Sequence, residues 1–176
     1  MNVLANLSSR KLALAGFLIC AGLICIALYL QYQVGLEPCP LCMLQRLVYY
    51  SFGAVCLLHF LHGPGVVGGR IYAGIEFVIA VVGAFTSARH TWLQWNPPDV
   101  NNCTADLFYQ LRKFPLLSVL ERALRATGDC AKVDWTLLGL SIAEWSLVWF
   151  VLLALLAIVM FRRAGRKPRA LVPSPA

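Results

Sequence analysis

The sequence predicts an all-α membrane protein, a four-transmembrane-helix bundle, and three observations carry that reading. Of its 176 residues, 60% are hydrophobic and only 13% charged, far from the balance of a soluble domain. The apolar residues gather into four long runs instead of scattering. Basic residues collect in the regions that four spans would place on one side: Arg10 and Lys11, then Arg70, then Arg162, Arg163, Arg166, Lys167 and Arg169. The whole of 1–176 reads as a single integral membrane domain.

The first span, 12–30, is an uncharged run of 19 residues, enough to cross a hydrocarbon core of about 30 Å. The second, 43–62, has an apolar centre at 47–61 and reaches spanning length by including 43–46. The third, 71–88, is interrupted only by Glu76, and the fourth covers 145–161. In lipid these segments must be helices, which satisfy their own backbone hydrogen bonds. The positive-inside rule puts the basic regions in the cytoplasm. Both termini are then cytoplasmic, and the loops 31–42 and 89–144 face outward. The second loop holds six basic and six acidic residues and so carries no topological bias of its own. Arg10 and Lys11 before an apolar run also suit a signal peptide, but three further spans favour an uncleaved first helix. The net charge of +7 is thus a topology signal with contacts to anionic lipid. Nucleic acid is not an expected partner: the chain has no zinc-finger spacing, basic recognition helix or Gly-rich phosphate loop.

Pro38 and Pro40 bias the backbone around Cys39 towards extended geometry, with helix resuming by Leu41 or Cys42. The glycine-rich stretch at 62–69 turns the chain before the third span. The long loop opens with Trp92 and Trp95, which suit a membrane interface, and Pro97 and Pro98 argue against a continuing helix. Within it, Leu116, Leu120 and Leu124 recur every four residues beside Val119 and Ala123. That spacing predicts an additional short amphipathic helix lying in the interface or against the bundle.

Chemistry is expected at four of the seven cysteines. Cys20, Cys25 and Cys56 fall in apolar runs, where a thiol acts as a small buried hydrophobe. Cys39 and Cys42 form a C-P-L-C motif at the mouth of the second span, able to close a disulfide with little backbone movement. With Cys42 in the first helical turn, unpaired N–H groups and the helix dipole favour its thiolate. Arg46, four residues on, shares that helix face and can stabilise a thiolate or the oxygen of a reducible ring. Cys103 and Cys130 bracket the amphipathic segment, as a permanent staple or as an exchange-active pair. Two pairs facing one oxidising compartment suit a disulfide relay. A tetrahedral zinc site from the same four sulfurs is the metal alternative, weakened by the wide spacing of the second pair. His90, at the outer end of the third span, is a candidate for the pocket that Cys42 and Arg46 share. His59 and His62 read as interface residues at the other end of the second span, and Glu76 as an intramembrane ionisable group.

The four spans, C-P-L-C-M-L-Q-R at 39–46 and T-G-D-C-A-K-V-D-W-T-L-L-G-L at 127–140 together resemble the bacterial disulfide bond formation protein B family, quinone-dependent thiol oxidoreductases of the inner membrane. The resemblance implies an enzyme that reoxidises a soluble periplasmic thiol oxidase of thioredoxin fold and passes the electrons to the respiratory quinone pool. It implies that Cys103, disulfide-linked to Cys130, is attacked by the partner's thiolate, and that electrons then reach Cys39 and Cys42. Cys42 would face the cofactor, ubiquinone or another membrane quinone. Arg46 would hold or polarise it, and His90 would belong to the same pocket. Gln45 departs from the acidic residue familiar before this arginine. Two competing readings use the same bundle. A related quinone or epoxide reductase runs electrons the other way, and a non-enzymatic scaffold keeps both disulfides closed.

Overall fold

A computed structural model describes residues 8–97, 131, 133 and 135–164. Cys103, Cys130 and the amphipathic segment at 116–126 lie outside them. Four helices dominate: α1 (Ser9–Tyr32), α2 (Pro40–His62), α3 (Val66–Trp95) and α4 (Ile142–Ala164). A two-stranded hairpin, β1 (Thr136–Leu137) and β2 (Leu140–Ser141), leads into α4. All four helices are long and apolar enough to cross a membrane, so the protein is a multi-pass membrane protein. α1 packs along α2, α2 along α3, α3 along α4, and α4 meets α1, which closes the bundle.

The helix ends follow from local chemistry. α2 starts with Cys39 as N-cap and Pro40 in the first position, where a missing N–H costs nothing. It stops at Gly63, whose φ of 51° and ψ of 48° place it in the left-handed region that glycine enters without strain. α3 runs further than its apolar stretch: residues 89–95, expected in the loop, continue the helix. The break falls at Asn96, which precedes Pro97 and is pushed out of helical geometry. Trp95 in that last turn donates its indole N–H to Glu144 Oε1 at 3.2 Å. α4 likewise begins at Ile142, before the apolar run at 145. Ser141 N–H donates to Glu144 Oε2 at 2.7 Å, and Glu144 N–H donates to Ser141 Oγ at 3.3 Å. This reciprocal capping box satisfies two otherwise orphaned donors.

Small residues let the helices approach, as membrane packing requires. Gly16 on α1 lies against Cys56 on α2, and Gly53 on α2 lies against Cys20 on α1. Cys20 and Cys56 are buried, as their apolar settings suggested, whereas Cys25 faces outward from the bundle. Between α3 and α4 the tightest of the described glycine contacts is at Gly83, where any Cβ would overlap the ring of Phe150. That ring is fully buried and stacks on Tyr49, at 4.2 Å between centroids, so it has nowhere to retreat. Gly83→Ala is therefore expected to destabilise the bundle by about 1–3 kcal/mol. Gly74→Ala on the same helix, where a Cβ meets nothing within 4 Å, should cost nothing. Thermal unfolding in detergent checks the pair; equal midpoints would contradict this packing.

At the end of the bundle opposite Cys39, the reading of His59 as an interface residue does not hold. It is 1% exposed, and its Nδ1 sits 3.1 Å from Oε1 of the fully buried Glu76. Its Nε2 is 3.3 Å from Ser9 Oγ. α1, α2 and α3 thus meet through one polar chain, buried at His59 and Glu76 and part-buried at Ser9. His62 is exposed and contacts Tyr72 at 3.0 Å.

Candidate active site

The α1–α2 loop delivers Cys39 to the N-terminus of α2, and the helix delivers Cys42 one turn on. The two sulfurs lie 3.2 Å apart, in contact but not bonded. Cys42 lies in the first turn of α2, as its position in the sequence suggested. The N–H of Cys42 points at the sulfur of Cys39, at 3.3 Å. Cys39 therefore receives the helix-terminal donor, which favours a thiolate there. Leu41 and Leu93 are buried and pack together beneath Cys39, fixing the motif against α3.

His90, from α3, belongs with the cysteines. Its Nε2 lies 3.7 Å from Cys39 Sγ, and its Nδ1 lies 3.3 Å from the side-chain amide of the buried Gln45. The order along this chain is Gln45, His90, Cys39, Cys42. An amide that grips one ring nitrogen sets both the plane of the imidazole and the nitrogen turned to sulfur. With the amide nitrogen against Nδ1, Nδ1 accepts and Nε2 carries the proton, so the ring is placed to donate a hydrogen bond to the Cys39 sulfur.

Beside the sulfurs opens a cavity of about 360 Å³, walled largely by apolar and aromatic side chains. Leu23, Ile24, Ala27 and Leu30 come from α1, and Trp145 and Trp149 from α4. Cys39, Cys42, Gln45, Arg46 and His90 bring the polar atoms. Arg46 reaches across to α1, where it donates to Gln31 Oε1 and, at 3.0 Å, to the carbonyl of Ala27. Its charge is held at the cavity wall by α1, through the Gln31 side chain and the Ala27 carbonyl, rather than being left to snorkel. This is the composition of a small-molecule site, apolar walls with a few placed polar groups. The walls suit an apolar, lipid-soluble molecule, with Arg46 and His90 among the polar groups that line its edge.

Cys39, Cys42, Arg46 and His90 are thus brought together, as their positions suggested. Gln45, Gln31 and the two α4 tryptophans are participants that no motif announces, since each depends on a neighbouring helix. In the sequence, Gln45 is marked only by departing from the acidic residue usual before this arginine.

A cysteine pair at a bundle end, beside an apolar cavity with a fixed arginine, defines a membrane-embedded thiol oxidoreductase. The family model described as "Disulfide bond formation protein DsbB" matches residues 9–160. The chain is 46% identical over 156 residues to a disulfide bond formation protein B of Aromatoleum aromaticum, covering 89% of this chain and 94% of the relative. It is 45% identical over 158 residues to that of an Azoarcus species, covering 89% and 95%. With disulfide bond formation protein B 1 of Pseudomonas aeruginosa it shares 44% over 157 residues, covering 89% and 96%. The chain belongs to the disulfide bond formation protein B family, which supports a role in disulfide bond formation.

Proposed function

We propose that this protein makes disulfides de novo: it reoxidises a periplasmic dithiol oxidase of thioredoxin fold and hands the electrons to a membrane quinone. The single observation that carries this reading is the contact of the Cys39–Cys42 pair with a lipid-level apolar cavity that also holds Arg46 and His90. The protein lies in the inner membrane with both termini cytoplasmic, so that Cys39, Cys42, Cys103 and Cys130 face the oxidising compartment.

The relay runs in two exchanges. The partner's thiolate attacks Cys103 of the Cys103–Cys130 disulfide, and resolution of that mixed disulfide leaves the partner oxidised and Cys103 and Cys130 as thiols. A freed thiolate then attacks the Cys39–Cys42 disulfide at Cys39, which returns the loop pair to its disulfide and leaves Cys39 and Cys42 reduced. Closing that pair again releases two electrons and two protons. A quinone bound in the cavity supplies the two-electron acceptor chemistry. Cys42 lies on the cavity wall, Arg46 would offer positive charge to a carbonyl oxygen of a bound quinone, and His90 would donate a hydrogen bond to the Cys39 sulfur.

Arg46→Leu should leave exchange at Cys103 intact and raise the KM for quinone. A hydrogen bond from a charged donor contributes about 1.5–3 kcal/mol, roughly 10–100-fold. An unchanged KM in steady-state quinone reduction would remove Arg46 from the site. The relay itself is tested by presenting the protein with a reduced partner whose resolving cysteine is replaced by serine. A mixed disulfide that maps to Cys103 supports the reading. Linkage to Cys39 instead, or no linkage with an accessible, oxidised loop pair, would overturn this order of transfer.

A further inference from the structure

The same end of the bundle also gathers the donor set of a metal site. The donor atoms of Cys39, Cys42 and His90 all lie within 4.8 Å of one another. A tetrahedral zinc ion, with Zn–S near 2.3 Å and Zn–N near 2.0 Å, separates neighbouring donors by about 3.5–3.8 Å. The Cys39 sulfur and His90 Nε2 stand 3.7 Å apart, and the two sulfurs 3.2 Å apart, so the sulfurs need part by only about half an ångström to reach that spacing. The histidine also has an outer partner at hand: the Gln45 side-chain amide lies 3.3 Å from Nδ1, the ring nitrogen that points away from sulfur, and with the amide turned over so that Oε1 accepts the Nδ1–H, Nε2 is left free for the ion. Metal-binding histidines are characteristically fixed in this way, through the nitrogen that does not bind the ion.

We propose that the reduced site binds zinc or a similar borderline divalent ion through Cys39, Cys42 and His90, its fourth position opening on the cavity. Binding displaces the two thiol protons to water and changes no oxidation state. The disulfide form cannot bind, because its sulfurs have no thiolate charge to offer. Zinc therefore marks and holds the dithiol state. With both sulfurs committed to metal, neither closes a disulfide, and the ion stands between them and whatever occupies the cavity. The site becomes a reversible metal brake on the relay. The inference rests on the proposed function only in requiring that the dithiol state exists.

The test uses the full chain in lipid nanodiscs with Cys103→Ser and Cys130→Ser, reduced and then freed of reductant without air. Cobalt(II) alone is the probe, with neither quinone nor partner present. The expected result is a thiolate-to-cobalt charge-transfer band with tetrahedral d–d bands, saturating at one ion per chain and bleached by one equivalent of zinc. The same chain with its Cys39–Cys42 disulfide closed should show neither band, a control that needs no further substitution. Gln45→Leu should weaken binding by about 10–100-fold, and His90→Ala by at least as much. No thiolate–cobalt band in the reduced chain overturns the proposal, as does full affinity in His90→Ala. Because the assay contains no acceptor, a negative result leaves the relay standing, and a failed relay leaves the metal site standing.

Discussion

Cys42→Ser is expected to abolish quinone reduction while the bundle stays folded. The substitution removes one sulfur of a half-buried pair at a helix N-terminus and leaves the buried core untouched. The N–H of residue 42 keeps its place on the Cys39 sulfur, so the cap that starts α2 survives. Chemistry is lost because a single thiol cannot close the disulfide that releases two electrons together. The loop pair can still oxidise one equivalent of partner, after which turnover stops. Thiol trapping should therefore find one round of partner oxidation with no quinol formed. Sustained quinone reduction by the serine variant would show that Cys42 does not face the acceptor. Cys25→Ser, on the outside of the bundle, is the matching control and should be silent.

The second large effect lies at the far end of the molecule. His59 and Glu76 are both buried, 3.1 Å apart, and Ser9 adds a third helix to the contact. Removing one partner strands the other where no water reaches it. His59→Leu and Glu76→Leu are each expected to cost about 1–3 kcal/mol, the usual range for a buried polar group left unsatisfied. The double variant, which buries two apolar groups instead, should cost less than the sum of the two. A double-mutant cycle on unfolding in mixed micelles measures this coupling. Additive losses would mean that the pair is only a neighbourly placement. Quinone reduction should change little in any of the three. Glu76 and His90 are 14 residues apart on one helix, about 21 Å along its axis, so the buried pair lies well away from the cysteine end.

The contrast between these two ends explains what the sequence could disclose. Span number follows from apolar runs because lipid leaves the backbone few alternatives. The cysteine motif and Arg46 are legible because one helix turn sets their spacing, and a local rule suffices. His90 could be placed by depth alone, since its level along α3 matches that of Cys39. Its contact with Gln45 could not, because residues 45 residues apart meet only when α2 packs on α3. The same limitation hid the burial of His59, which from α2 alone looks like a residue of the helix end. The start of α4 was legible in principle: Ser141 and Glu144 have capping-box spacing, but the apolar run beginning at 145 drew the boundary inward. α3 overran its apolar stretch for a related reason. Hydropathy marks where lipid ends, whereas a helix ends where its hydrogen bonds do, here just before Pro97.

The central claim is that electrons from a protein dithiol leave through this membrane site to a quinone. The most direct measurement follows quinone absorbance and partner thiols together, using the protein in lipid, a reduced thioredoxin-fold oxidase and a soluble quinone. The expected result is one quinol formed for each partner dithiol oxidised, lost in both Cys42→Ser and Cys103→Ser. No quinol from intact protein with quinone access, or partner oxidation without matching quinol, would contradict it.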